Sequence, residues 1–242
     1  MNNTSTNPAE SQLLAAREVM GILVKAGGAV FMVGGCVRDM LMGQPVGDID
    51  LVTDLDLPEI ARHFPLHDIG RNKNFNIAVL QSGGWNFEIA RFRGQTCVDG
   101  SGRPEQSVVA ATFIEDAAHH DFTINSIAMD SEGQVIDPFG GRADLAANVI
   151  RCVGDAEERM LEDPLRALRA VRFSSRLGFC IDPVTAMAIR GIGPKLAMIA
   201  AERISGELLK MAENPGPVYA GAIRKLTELE LLSQVLPEVA AL

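Results

Sequence analysis

The chain lacks any long hydrophobic run. No apolar segment approaches the roughly 18 residues that a membrane-spanning helix needs, and the polar opening MNNTSTNPAES does not resemble a secretory signal peptide. Paired cysteines are absent as well, because the four cysteines are widely spaced and form no CxxC pair. These absences argue against a membrane protein, a disulfide scaffold and a zinc module. We therefore expect a cytoplasmic protein with reduced thiols and no membrane partner.

An excess of positive charge is also lacking. The 242 residues carry a formal net charge of −9, with 47% hydrophobic and 22% charged residues. That composition is typical of a globular protein with enough apolar material for one large domain or two small ones. It argues against a protein coated in positive charge for general nucleic-acid binding. A local basic face stays possible.

Residues 31–53, FMVGGCVRDMLMGQPVGDIDLVT, form the first informative stretch. An apolar strand runs into the pair Gly34–Gly35, a helix carrying Arg38 follows, and a second apolar strand carries Asp48 and Asp50. Alternation along a strand places both aspartates on one face, where they repel each other unless a cation lies between them. Mg²⁺ typically takes one or two carboxylates together with water and phosphate oxygens. A glycine turn before a helix offers N–H groups to phosphate.

Together these features predict nucleotidyl transfer with Mg²⁺ as cofactor. Taken singly, each has a plainer interpretation. A Gly-Gly pair after an apolar run is usually a tight turn, and an Asp-x-Asp sequence is often a solvated turn or a helix cap.

A second informative stretch is residues 162–177, EDPLRALRAVRFSSRL. We expect Asp163 to cap a helix whose arginines share one stripe at spacings of three, three and four residues. Without acids interleaved along the helix, such a stripe predicts an anion nearby. Asp163 and Arg166 offer one acceptor and one forked donor, which suit the edge of cytosine or adenine. A wrong base would leave a polar group unpaired, at a typical cost of about 1–3 kcal/mol.

The spacing of these motifs resembles the class II CCA-adding enzyme and bacterial poly(A) polymerase family, within the DNA polymerase β-like nucleotidyltransferase superfamily. Residues 121–125 (DFTIN) and 201–208 (AERISGEL) are similar to two further motifs of this family, and the likeness covers roughly residues 28–236. The second of these implies a helix that braces the arginine helix.

The resemblance implies an α+β fold. A nucleotidyltransferase head with a small mixed β-sheet flanked by helices would precede an all-α neck. We place an N-terminal tail and helix at 1–27, the catalytic head at 28–153 and the base-selecting neck at 154–242. The neck would be cut off before the body and tail domains of the family.

The resemblance also assigns roles to single residues. Catalysis and metal binding fall to Asp48 and Asp50, with Glu88 as a possible third carboxylate or else an ordinary strand residue. The nucleotide would contact Gly34, Gly35, Arg38, His120, Asp163, Arg166, Arg169 and Arg172.

One departure from the family pattern stands out. The family usually carries two arginines before the DFT sequence, and this chain has His119 and His120. Arginine is always charged, whereas histidine is mostly neutral at pH 7, so how this protein holds the phosphate or ribose stays open here. We expect Asp121 or Thr123 to cap a following helix. We also expect residues 93–113 to be a loop, which in the family helps to seat the nucleotide.

The resemblance implies an enzyme that adds CMP and AMP, from CTP and ATP, to the 3′ end of tRNA and releases pyrophosphate. Alternatives within this class are a poly(A) polymerase, a CC-adding enzyme or an A-adding enzyme. A non-catalytic nucleotide- or RNA-binding module is an alternative from another class. No oligomeric state is predicted.

Overall fold

The computed structural model describes residues 8–67, 76–98, 104–213 and 216–241. The helices of this part are α1 (Pro8–Lys25), α2 (Gly35–Leu41), α3 (Leu57–Ala61), α4 (Phe113–Ala117), α5 (Gly141–Ala147), α6 (Ala156–Glu162), α7 (Arg166–Leu177), α8 (Pro183–Ile192), α9 (Ala201–Ala212), α10 (Pro217–Glu228), α11 (Leu232–Val235) and α12 (Pro237–Ala240), with 3₁₀ turns at Thr123–Asn125 and Gly193–Met198. The strands are β1 (Val30–Val33), β2 (Asp50–Thr53), β3 (Leu66–His67), β4 (Ile77–Ser82), β5 (Trp85–Arg91), β6 (Arg93–Val98), β7 (Pro104–Val109), β8 (Ala128–Met129), β9 (Val135–Ile136), β10 (Val149–Ile150) and β11 (Cys180–Ile181).

Backbone contacts divide the described residues into two compact units. The first comprises 8–67, 76–98, 104–120 and 125–141, and the second comprises 121–124, 142–213 and 216–241. The sequence interpretation placed a boundary near Gly154, whereas residues 142–153 group with the second unit. The reason is a pairing that no local pattern reveals, because β10 lies parallel to β11 with Val149 opposite Cys180. The functional division into head and neck stays a prediction, and the predicted tail, residues 1–7, lies outside the described residues.

The first unit contains a seven-stranded sheet in the order β3-β4-β5-β2-β1-β8-β9. Strands β2 and β5 are parallel and the other neighbours are antiparallel, so the predicted mixed sheet is confirmed. Helix α1 buries a stripe at helical spacing, with Ala16, Val19, Met20 and Leu23 all fully buried. That stripe matches the period of 3.6 residues and gives the sheet an apolar cover, since α1 contacts β1, β4 and β5.

Two sequence-based expectations for the first unit are wrong. Residues 93–113 are not a plain loop, because β6 and β7 form a hairpin there; residues 99–103 lie outside the described part. In the described part of the chain these strands form a separate two-stranded sheet, and their sequences, RGQTCV and PEQSVV, show no apolar alternation. The helix expected after Asp121 is a 3₁₀ turn followed by β8. Ala128 and Met129 are needed to pair with β1.

The second unit is built mainly from helices α6 to α12, as predicted for the neck. Helix α7 buries Leu168, Val171 and Phe173 and packs against α9 and α10. It begins at Arg166 rather than beside Asp163. Asp163 instead ends α6 and accepts a hydrogen bond from the Leu165 N–H at 3.2 Å. The predicted cap therefore stabilises the turn before the helix.

The described part of the chain contains no helix that is long and apolar enough to cross a membrane. Three of the four cysteines fall where their state is described, and all three are free. Cys36 and Cys152 are buried, and burial is the main cause that raises the pKa of each thiol to about 11. Both are therefore unreactive thiols at neutral pH.

The packing of α1 and β1 generates a prediction about two glycines. A Cβ added to Gly28 would lie 2.6 Å from the Leu55 side chain, whereas one added to Gly21, within α1, meets nothing within 4 Å. We expect Gly28→Ala to lower the free energy of unfolding by about 1–3 kcal/mol. Gly21→Ala, the matched control, should raise it by about 0.5–1 kcal/mol. Urea titrations would measure both, and equal effects would contradict this packing.

Candidate functional site

An acidic cluster lies where β2 begins. Asp48 and Asp50 are both exposed and Ile49 between them is 1% exposed, so the predicted alternation is present although Asp48 precedes the strand. Asp50 lies beside Glu88 in the parallel pair of β2 and β5. Neighbouring residues in register on adjacent strands direct their side chains to the same face. The sheet thus brings a third carboxylate toward the two that the sequence singled out.

The pKa of Asp50 is raised by burial and by this crowding of carboxylates. Its pKa is raised from 3.8 to about 6, first because protein displaces water around it, then through repulsion by Glu88 and by Asp48. Because Asp50 is still exposed to solvent, its loss of hydration is incomplete. The two neighbouring negative charges are therefore needed to explain the raised pKa. A carboxyl group in this state favours either a proton or a cation.

A divalent cation fits the donors present. Within the described ranges, no charged side-chain nitrogen of a lysine or arginine lies within 4.0 Å of the carboxylate oxygens of Asp48, Asp50 or Glu88. The same residues contain no group of three or more ligating side chains already set for a metal. Mg²⁺ does not require one, since one or two carboxylates with water and substrate phosphates satisfy it. Asp48 and Asp50 are the residues that could hold it, and Glu88 adds charge beside them.

The glycine pair and Arg38 form a second part of the first unit. Gly34 has φ +75°, a backbone conformation that L side chains rarely adopt, and it precedes the first residue of α2. Arg38 is 3% exposed and lies beneath the turn, with Nη2 3.5 Å from the place a Gly35 Cβ would occupy. Its guanidinium donates to Asp39 Oδ1 at 2.7 and 2.8 Å and to Asn125 Oδ1 at 2.8 Å. A fixed positive charge therefore lies under the Gly34–Gly35 turn.

His120 occupies a buried network in the same unit. Its Nε2 lies 3.3 Å from Asp116 Oδ2, and its Nδ1 lies 3.0 Å from the Asn125 carbonyl oxygen. Asp116 is 1% exposed, and its other oxygen accepts the Arg93 N–H at 2.7 Å. Burial by itself would raise the pKa of Asp116, but the hydrogen bond and charge of His120 and the contact with Arg93 outweigh it and lower that pKa.

The predicted base-selecting pair lies at the start of α7 in the second unit. Asp163 Oδ2 accepts from Arg203 Nη2 at 2.8 Å. Arg166 turns back to the Arg159 carbonyl oxygen at 2.8 Å and to Glu162 Oε2 at 2.9 Å. Both side chains are therefore held by neighbouring groups, and the carboxylate of Asp163 keeps 29% of its surface exposed.

The arginine stripe of α7 is not unbalanced, which corrects the sequence interpretation. Arg169 forms an ion pair with Asp121 Oδ2 at 2.5 Å, and the charge of Asp121 raises the pKa of Arg169 against the effect of burial. Arg172 Nε donates to Glu207 Oε2 at 2.6 Å and its guanidinium lies 4.2 Å over the Phe173 ring. The acids come from other segments of the unit, so the helix itself contains no sign of them.

Two of these partners belong to a segment that the sequence had marked. Arg203 and Glu207 both lie in the AERISGEL motif, on α9, and they hold Asp163 and Arg172 respectively. The predicted bracing helix is thus confirmed within the second unit. Asp121 was read only as a helix cap, and its role as the partner of Arg169 was missed because 48 residues separate the two.

Family comparison covers most of the chain. Residues 30–151 match the family described as "Poly A polymerase head domain", and residues 178–242 match "Probable RNA and SrmB- binding site of polymerase A". The CCA-adding enzyme of Geobacillus stearothermophilus is 40% identical over 93% of this chain and 55% of its own length. That of Lactiplantibacillus plantarum is 39% identical over 86% of this chain and 51% of its own length. The chain spans about half the length of these relatives.

Solved structures show the same likeness. The Bacillus stearothermophilus CCA-adding enzyme in complex with CTP superimposes with a TM-score of 0.83 at 37% identity, covering 95% of this chain and 54% of that one. The Thermotoga maritima CCA-adding enzyme complexed with tRNA superimposes with a TM-score of 0.76 at 29% identity, covering 97% and 54%. Sequence motifs, sheet and helices agree with these matches, and the chain belongs to the poly(A) polymerase head-domain family of nucleotidyltransferases.

Proposed function

We propose that this protein adds CMP and AMP, from CTP and ATP, to the 3′ end of tRNA, and that it acts in the cytoplasm. The observation that carries the proposal is the exposed pair Asp48 and Asp50, whose repulsion with Glu88 leaves a place for a divalent cation. Relatives named CCA-adding enzymes, matched over most of this chain, support the choice of tRNA over other primers.

In this proposal Asp48 and Asp50 hold Mg²⁺, which when bound supplies Lewis-acid activation of the 3′-hydroxyl and neutralises the triphosphate. The primer 3′-hydroxyl gives up its proton to solvent, its oxygen forms a bond to the α-phosphorus as the bond from that phosphorus to the bridging oxygen of the β-phosphate breaks, and pyrophosphate leaves. Gly34 and Gly35 offer backbone N–H groups to the triphosphate, and Arg38 supplies charge beneath them. His120, which lies in the same unit, is also assigned to nucleotide binding.

The second unit supplies base selection in this proposal. Asp163 accepts a hydrogen bond from the exocyclic amine of cytosine or adenine, and Arg166 donates to the neighbouring ring acceptor. Arg169 and Arg172 serve the nucleotide phosphates or shape the site. Support comes from the rigid setting of Asp163 and Arg166, because the contacts with Arg203 and Glu162 limit their rotamers.

A single primer-extension experiment separates the candidate activities. We expect [α-³²P]CTP to label tRNA that ends before CCA, and ATP to label tRNA that ends in CC. Extension of oligo(A) by ATP alone would indicate a poly(A) polymerase, and labelling by only one of the two nucleotides would indicate a CC- or A-adding enzyme. Binding of CTP or ATP without extension of any primer would favour a non-catalytic module.

Removal of either aspartate should abolish extension. We expect Asp48→Asn and Asp50→Asn each to lower the rate by about 10³-fold or more, because metal binding contributes several kcal/mol to the transition state. Glu132→Gln, at an exposed acid of the same unit, is the control and should retain activity. Glu88→Gln tests the third carboxylate, since only a metal ligand would lose activity on this scale. Activity surviving in Asp50→Asn would contradict the proposed centre.

The raised pKa of Asp50 predicts an effect on stability. Protonated Asp50 is favoured in the folded state, so the stability it contributes is present below pH 3.8 and is lost as the pH rises through about 6. A shift of this size is worth about 3 kcal/mol if fully expressed, and screening at this exposed position reduces it to about 1 kcal/mol. Without divalent cation, Asp50→Asn should therefore be more stable than wild type above pH 6.

Thermal melts at several pH values measure this difference. The advantage of Asp50→Asn should vanish near pH 4, and MgCl₂ should raise the melting temperature of wild type but not of the variant. A stability difference that does not change with pH would show that repulsion at Asp50 is not its origin.

Base selection is tested by exchanging one acceptor. Asp163→Asn replaces a carboxylate oxygen by an amide N–H, so the preference for CTP over UTP in kcat/KM should fall by about 5- to 150-fold. Glu157→Gln, at an exposed acid on the preceding helix α6, should leave the preference unchanged. An unchanged preference in Asp163→Asn would remove this residue from base selection.

A further inference from the structure

His120 faces two hydrogen-bond acceptors. A carbonyl oxygen can only accept, so the 3.0 Å contact between the Asn125 oxygen and Nδ1 requires a proton on Nδ1. Oδ2 of Asp116 lies 3.3 Å from Nε2, and because a carboxylate oxygen can only accept, this contact requires a proton on Nε2. A neutral imidazole carries one N–H and can satisfy only one of these partners. Both contacts together require the imidazolium form.

The same network continues from His120 to Arg38. The backbone carbonyl of Asn125 contacts the imidazole, while its side-chain Oδ1 accepts from Arg38 Nη1 at 2.8 Å. Asn125 is 7% exposed and Arg38 is 3% exposed, so neither can relocate without disturbing buried contacts. Within the described residues, the charged groups along this network are Asp116 on α4, Arg93 on β6, and Arg38 with Asp39 on α2.

We infer that His120 is a positioning residue that acts as an imidazolium. It fixes Asn125, and through Asn125 it fixes the guanidinium of Arg38 beneath the Gly34–Gly35 turn. This inference rests on the proposed function, because Arg38 is taken to serve the triphosphate. It deepens that function by giving His120 an indirect role in nucleotide affinity. The charge that the family places on an arginine is then supplied here by a protonated histidine turned toward Asp116.

Nucleotide affinity should depend on pH through His120. When the imidazolium loses its proton, either the Asn125 carbonyl or the Asp116 carboxylate loses its donor, and the position of Arg38 is less restricted. Nucleotide affinity should therefore be lower at pH 8.5 than at pH 6, because only the protonated ring donates to both partners. The phosphates of the nucleotide and Asp50 also titrate in part of this range, so the test compares variants at each pH.

The dissociation constants of ATP and CTP, with Mg²⁺ and without primer, are measured across this range for wild type, His120→Gln and His120→Arg. The dissociation constant of His120→Gln should be about fivefold that of wild type at pH 6, which is the size of one net hydrogen bond. The ratio of the two constants should approach one at pH 8.5. His120→Arg should restore the affinity and remove the dependence. His63→Gln removes a histidine from an exposed i,i+4 pair with Glu59 and should match wild type at every pH.

Two measurements test the route through Arg38 and the protonation state. In an Arg38→Ala background, His120→Gln should have no further effect on the dissociation constant, because the two residues act in series. ¹⁵N NMR of the wild-type chain should show both nitrogens of His120 protonated at pH 6.5, whether or not nucleotide binds.

A single protonated nitrogen at that pH would overturn the inference, as would a pH-independent ratio or additive effects of the two substitutions. If wild type binds neither nucleotide while NMR shows the imidazolium, the proposed function fails and the buried network stands.

Discussion

The carboxylate of Asp50 is repelled by those of Glu88 and Asp48 where β2 begins, in the middle of the seven-stranded sheet, and strand pairing keeps Asp50 and Glu88 on one face. Ile49 is buried between the two aspartates, and the β2–β5 pairing sets Glu88 beside Asp50. Neither Asp50 nor Glu88 can turn away without breaking strand register. The first unit therefore tolerates an unfavourable charge arrangement that its own packing enforces, which is the usual mark of a functional site.

In the second unit, by contrast, opposite charges are paired. Each of the three arginines assigned to the nucleotide already has an acid beside it, supplied by the segment of Asp121, by α6 or by α9. A half-buried cation with a fixed partner keeps a defined rotamer, because the ion pair and the apolar neighbours restrict it together. The arginines of the second unit are thus held in defined positions by fixed acids, whereas the carboxylates of Asp48, Asp50 and Glu88 in the first unit lie beside like charges.

Local sequence patterns predicted much of this arrangement. The period of two across Asp48–Asp50, the Gly34–Gly35 turn before α2 and the arginine spacing along α7 are all short-range features, and each was visible in the chain. The partners of Arg169 and Arg172 were not, because ion pairs across 48 and 35 residues leave no local signature. The β6–β7 hairpin was missed because its segments, RGQTCV and PEQSVV, are rich in polar residues and show no apolar alternation.

The histidines illustrate a further limit. The family resemblance implies two arginines where this chain has His119 and His120, and the sequence alone therefore suggests a loss of charge there. The contacts of His120 with Asp116 and Asn125 argue for the reverse, and they arise from the 3₁₀ turn at Thr123–Asn125, which replaced the helix we expected.

The path of the chain through the two units also bears on how such proteins diversify. Asp121–Ile124 belongs to one unit and Asn125 to the other, so consecutive residues of one motif are shared between two compact bodies. No single cut in the chain separates the two units, because residues 121–124 of the second unit lie between segments of the first. Transfer of the first unit to another protein would therefore require more than one crossover within this chain.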